Sequence, residues 1–282
     1  MIQFSTKTVL FALLILSSFA TKAQNFYGRA TYSSYTTLGD SFKIDSPSMT
    51  EQQKKEMQEM MRKALEKTFT LDFNAHESLF QEEAKLDKPK PGSGGMMVMM
   101  SNGDSSKLYK NTKENKSVAE KDIFDKAFLV VDSLANWNWK IESETKKIGD
   151  YVCQKATAII PVSKEDLEAY EKMKDEKGNG KTQFIMMDEP KDIIITAWFT
   201  MEIPVTTGPE KYCGLPGLIL EVNDGRTTYL CSKIVINPKD KVVIKAPSKG
   251  KVISEKEFRK VEEEKLKSMM NKDGVIEINM TR

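Results

Sequence analysis

Few residues in this chain can start a reaction. His76 is the only histidine among 282 residues, so a Ser/His/Asp or Cys/His hydrolase would have to use it. It stands in Ala75-His76-Glu77, which the alternation places on the polar face of a strand, and no Gly-x-Ser-x-Gly turn presents a nucleophile. Zinc is as poorly served, because no His or Cys residues pair at ligand spacing and Cys213 and Cys231 do not form a Cys-x-x-Cys. Gly92-Ser93-Gly94-Gly95 lacks the lysine and the strand-to-helix setting of a phosphate loop. Glu202 and Glu221 could be drawn as a glycosidase-like acid pair, but nothing in the sequence fixes their separation. No cofactor motif is present. Methionine is the outlier: Met96, Met97, Met99 and Met100 follow a glycine-rich stretch, and soft thioethers can hold Cu(I). The competing reading is flexible packing of that loop over an apolar groove.

The densest run of backbone instructions is 208–222, and it carries almost no chemistry. Gly214, Pro216 and Gly217 are expected to form a structural turn. Pro216 fixes φ, and Gly217 supplies the positive φ of a type II turn over 215–218. Leu218, Leu220 and Val222 then alternate along a strand, and Asp224-Gly225 predicts a tight hairpin in which Leu218 faces Cys231 and Leu220 faces Tyr229. A functional role for the corner would be a mouth lined by Trp198, Tyr212 and Leu215, where an apolar small molecule or an envelope protein docks.

Gly214-Leu215-Pro216-Gly217-Leu218-Ile219, with Ala197-Trp198-Phe199-Thr200, Ile203-Pro204-Val205 and Gly208-Pro209 upstream, resembles the GLPGLI family, a group of exported proteins of Gram-negative bacteria. The likeness is specific over residues 150–250 and looser elsewhere. It implies export and implies no activity, so the expectation is a protein that is not an enzyme. The family usually carries another residue at the place of Cys213, which implies that Cys213 is unpaired.

Val9 to Phe19 is an apolar run preceded by Lys7 and followed by Thr21-Lys22-Ala23. This predicts a signal peptide over 1–23, cut after Ala23, and a periplasmic or secreted product. No second apolar stretch approaches the roughly 20 residues a spanning helix needs. Export would remove Lys7 and Lys22 and leave the two signs of charge in balance, which argues against a nucleic-acid partner. In an oxidising compartment three cysteines predict one disulfide and one thiol. Cys153 with Cys231, both on expected strands, is the preferred pair; three free thiols are the alternative.

Stepping along the rest of the chain, strands are expected over 26–37, 68–83, 107–111, 128–131, 137–141, 151–160, 193–203, 218–222, 241–246 and 275–280. Helices are expected from Ser48, from Ser163 and from Ser254, each with an acidic residue three positions on as its cap. Residues 88–106, rich in Gly, Pro and Met, read as a flexible loop. Together these give an α+β protein: a single domain over 24–282, with one large, curved, mostly antiparallel β-sheet and two or three amphipathic helices.

Overall fold

The computed structural model describes residues 26–37, 50–83, 107–123, 126–164, 166–168, 170–171, 189–240 and 242–269. The signal-peptide cleavage site, the loop over 88–106 with its four methionines, and the strand expected over 275–280 lie outside the described residues.

The fold is mainly β, which corrects the α+β expectation. Among the described residues twelve strands form one sheet: β1 (Tyr27–Thr36), β2 (Lys67–Asn74), β3 (Glu77–Glu82), β4 (Lys107–Asn111), β5 (Lys116–Ile123), β6 (Lys126–Asp132), β7 (Lys140–Ile148), β8 (Tyr151–Ile160), β9 (Ile193–Thr200), β10 (Leu218–Asn223), β11 (Thr227–Ile236) and β12 (Lys251–Ile253). The order across the sheet is β12-β6-β5-β4-β3-β2-β1-β11-β10-β9-β8-β7, and it stays open, with β12 and β7 at its edges. The pairs are antiparallel except β12 with β6, which is parallel and makes the sheet mixed. Against these strands stand two fifteen-residue helices, α1 (Glu51–Leu65) and α2 (Glu255–Met269), and a short helical turn from Lys164.

Local chemistry explains where the expected elements shift. The single strand expected over 68–83 is a hairpin, because the Asn74 side chain accepts hydrogen bonds from the backbone of His76 (2.8 Å) and Glu77 (2.7 Å) and closes an Asx turn. His76 is therefore exposed on a turn and not on a strand face. α1 is capped by Thr50 with Gln53, two residues beyond the expected start. The β10–β11 hairpin turns on Gly225-Arg226, with Gly225 at φ +84°. Glu221 faces Leu230 and Val222 faces Tyr229, so it is Val222, not Leu220, that stands opposite Tyr229. Residues 242–246 form no strand. The sheet edge is completed instead by the three residues of β12.

Two apolar cores lie on opposite sides of β8–β10. One holds Tyr32, Phe69, Leu71, Phe73, Phe80, Trp198, Leu218 and Leu220 and extends to Phe258 of α2. The other holds Ala156, Ile195, Ala197, Phe199, Tyr212, Leu215, Ile219 and Val222. Successive strand residues point to opposite faces, so Trp198 and Phe199 are each buried, on different sides.

The sheet bends far enough that the segment after β9 lies against β3 and β4: the Thr207 and Ser78 hydroxyls are 2.9 Å apart, and the tyrosine hydroxyl of β1, Tyr32, donates to the Ile219 carbonyl at 2.7 Å.

The Cys153–Cys231 disulfide is not formed; all three cysteines are buried free thiols. Cys153 is on β8 and Cys231 on β11, with β9 and β10 between them. Burial pushes the Cys153 thiol up to about 11 and the Cys231 thiol up to about 12, so both stay protonated and inert near neutral pH.

Candidate functional site

Residues 201–217 run from β9 to β10 without forming a strand, and their backbone is clasped by side chains from elsewhere. Lys110 of β4 is 1 % exposed, and its ammonium donates to the carbonyls of Gly208 (2.7 Å), Glu210 (2.6 Å) and Tyr212 (3.1 Å). All three of its N–H groups are used. Two indole N–H groups complete the set, Trp137 to the Lys211 carbonyl at 3.2 Å and Trp139 to the Cys213 carbonyl at 2.8 Å. Burial pulls the Lys110 ammonium down to about 8.

The glycines act differently from the sequence expectation. Gly214 takes the left-handed conformation, at φ +93°, whereas Gly217 is absent from the positive-φ positions. Gly217 is needed for close approach, since a Cβ there would collide with the Thr200 carbonyl oxygen. Backbone bonds from Leu218 to the Ile203 carbonyl (3.0 Å) and from Ile219 to the Thr207 carbonyl (3.1 Å) then seat the start of β10. The type II turn at 215–218 is thus replaced by a close crossing in which Gly217 lets two backbones touch.

The three residues expected to line one mouth are not brought together. Trp198 is in one core, with the Lys146 ammonium 4.3 Å over its ring, while Tyr212 and Leu215 are buried in the other. Leu215 is 1 % exposed.

An open groove of about 670 Å³ lies instead on the inner face of β4–β6. Its floor is built in rungs by the strand register: Lys110, Ser117 and Asp132 face one another across β4, β5 and β6, then Leu108, Ala119 and Val130, then Lys121 beside Phe128. The clasped turn 210–212 forms one wall, with Asp224, Thr227 and Tyr229 of the β10–β11 hairpin. Ser133 to Asn136 form another, and Glu255 and Arg259 of α2 close the far end. α2 is seated there by Phe258, which packs edge-on to Phe128 at 5.7 Å, and by Glu255, which accepts from Lys121 at 3.4 Å; within the helix Glu255 also forms an ion pair with Arg259 at 3.5 Å. Tyr212 joins clasp to groove: its ring lies 4.9 Å from Trp137, its hydroxyl donates to Asp224 at 3.1 Å, and burial pushes that hydroxyl's pKa far up.

Sequence reasoning missed Lys110 and the groove. One signal was present, because Leu108 and Lys110 alternate onto the same face of a short apolar strand, where a lysine has to find partners. The remaining candidates are dispersed. Glu202 accepts from the Val152 backbone at 2.9 Å and Glu221 pairs with Lys146 at 2.7 Å, so each carboxylate is engaged on its own. Among the described residues no group of three or more His, Cys, Asp or Glu could hold a metal ion, and no helix is long and apolar enough to cross a membrane.

A family model described as a protein of unknown function (Porph_ging) matches residues 139–221, from Trp139 through the clasped crossing into β10. No curated protein matches the chain. Two solved structures of PNGF-II, in space groups C2 and P21, are similar over 83 % and 84 % of this chain at 14 % and 15 % identity, with TM-scores of 0.45 and 0.47. The chain spans about a third, 32 %, of each of those chains.

Proposed function

We propose that this chain is an exported protein of GLPGLI type that binds a ligand without transforming it, and that the ligand lies in the groove between β4–β6 and the clasped turn. The observation that carries the reading is the groove itself: about 670 Å³, within the range of small-molecule sites, with one apolar rung, Leu108, Ala119 and Val130, set between polar ones. The 208–217 signature supports the same reading in a scaffolding role, because its carbonyls at 208 and 210–213 are already occupied by Lys110, Trp137 and Trp139. The ligand site thus moves from the corner, where Trp198, Tyr212 and Leu215 were expected to meet, to the adjoining groove that Tyr212 alone shares. His76, exposed on the Asn74 turn, supports no hydrolase at the groove.

Export, with cleavage after Ala23 and release to the periplasm or beyond, belongs to this proposal. It rests on the Val9–Phe19 run and the small residues that follow it.

Native mass spectrometry of the protein purified from the envelope of its own host tests the reading. The expected result is a bound small molecule retained by the wild type and absent from Ala119→Phe, a substitution in the middle rung, with the variant's folding confirmed by a cooperative thermal transition. An empty wild-type groove, or equal retention by the variant, overturns it.

A further inference from the structure

The groove has a direction. At the α2 end Lys121 and Arg259 flank a single carboxylate, Glu255. At the opposite end Asp132 stands on the first rung with Glu210 and Asp224 on the facing wall, against Lys110 and Lys211. Three carboxylates against two lysines at one end, and two cations against one carboxylate at the other, leave the groove neutral overall and polarised along its length. Moreover, Lys110 spends all its donors on backbone carbonyls, so the first rung offers a ligand the Asp132 carboxylate and no free ammonium from its floor. The two ends are separated by the four residues from Ser117 to Lys121 on β5, or from Phe128 to Asp132 on β6. At about 3.3 Å per strand residue that is about 13 Å, the reach of roughly four extended residues. On the floor between the ends lie the small and branched side chains of Leu108, Ala119 and Val130.

We propose that the groove binds a short zwitterionic peptide of three or four residues, its amino end at Asp132, its carboxylate at the Lys121 rung with Arg259 beside it, and one apolar side chain on the Ala119–Val130 rung. The aromatic residues argue against a sugar, which would need an open ring face. Tyr212 is 2 % exposed and covered by Trp137, and Tyr229 is held edge-on by Phe69 (5.8 Å) and Phe80 (6.0 Å). Charged groups at both ends argue against an acyl chain, whose tail would have to meet one of them.

This rests on the reading of the groove as a binding site, and the test separates the two. Isothermal titration of the full chain with Ala-Leu-Ala-Ala is run beside its N-acetyl form, its C-terminal amide, sodium dodecanoate and maltotriose. The expected result is saturable one-to-one binding of the free-ended peptide, at least tenfold weaker once either end is blocked. Asp132→Asn should weaken the free-ended peptide and leave the N-acetyl form unchanged, and Arg259→Gln should do the same with the amide. Amide shifts confined to 117–121 and 128–132 would place the peptide on the rungs. Equal affinity for blocked and free ends, or preference for dodecanoate or maltotriose, overturns the peptide proposal. A non-peptide molecule lost from Ala119→Phe in native mass spectra overturns it too, while leaving the groove as a binding site. Absence of any ligand in both experiments sinks both.

Discussion

The clasped crossing at 201–217 and the groove beside it share Tyr212 and Lys110, yet they differ in what their polar groups are doing. In the crossing the groups face inward and are consumed: Lys110, Trp137 and Trp139 answer backbone carbonyls one for one. Along the groove rim, ionised side chains pair with each other at the edges of solvent, as Glu255 does with Lys121 and Arg259. A buried polar group without a partner costs free energy, so a saturated set is a device for holding shape. A partly solvated set with charge left over at each end is available to a ligand. The most recognisable stretch of sequence is therefore the scaffold, and the candidate site is built from residues that form no motif.

That contrast can be broken most easily at Lys110. Lys110→Met would orphan three buried carbonyls and is expected to destabilise the protein by about 3 kcal/mol or more, read as a lower urea midpoint at unchanged slope. A loss below about 1 kcal/mol would mean that the clasp is not structural. Next comes Gly217→Ala, which drives a methyl into the Thr200 carbonyl and should cost about 2 to 3 kcal/mol. A neutral outcome would show that β9 and β10 can separate at that point.

The pH dependence of the same lysine sharpens the comparison. Its ammonium is lowered to about 8 in the folded protein by burial, against about 10.4 for an unfolded lysine. Between those values the unfolded chain binds the extra proton, so stability contributed by this group rises with pH. The burial penalty is present below pH 8 and relieved by about pH 10.5. Cys153 and Cys231, raised to about 11 and about 12, act with the opposite sign above their ordinary range. The difference between wild type and Lys110→Met isolates the lysine: the wild type's advantage should widen by roughly 1 to 3 kcal/mol between about pH 8 and about pH 10.5, in the opposite sense to the thiols. A flat difference would contradict it.

Trp139→Phe removes one donor from the Cys213 carbonyl and should cost about 1 kcal/mol. Smallest of all, Asp132→Asn on the groove rim should change stability by less than about 0.5 kcal/mol, whatever it does to binding. A large loss there would erase the distinction between rim and clasp.

Much of the sheet was legible in the sequence. Alternation placed β1, β4 and β8 almost residue for residue. The departures have local causes. Asn74 converted a long strand into a hairpin through its own side chain, and Gly225 moved the β10–β11 register by a residue on either side of the turn. The fold class was misread because helical periodicity is conspicuous in sequence, while the number of strands joined into one sheet is a property of distant pairing, including the parallel β12–β6 pair. For the same reason the site was out of reach. Trp198 points from β9 into one core, while Tyr212 and Leu215 lie in the strandless segment 201–217 and are buried in the other. The groove rungs join β4, β5 and β6 to a turn a hundred residues away.

Hydrogen exchange at the amides of Gly214, Leu218 and Ile219 tests the scaffold role of the crossing most directly, since each bonds back to the carbonyl of 206, 203 or 207. If the clasp is part of the structural core, these amides exchange only through global unfolding, as slowly as those of β1 and β2. Exchange faster by orders of magnitude, through an opening of 201–217 alone, would show that the crossing is a moving part and would contradict the account.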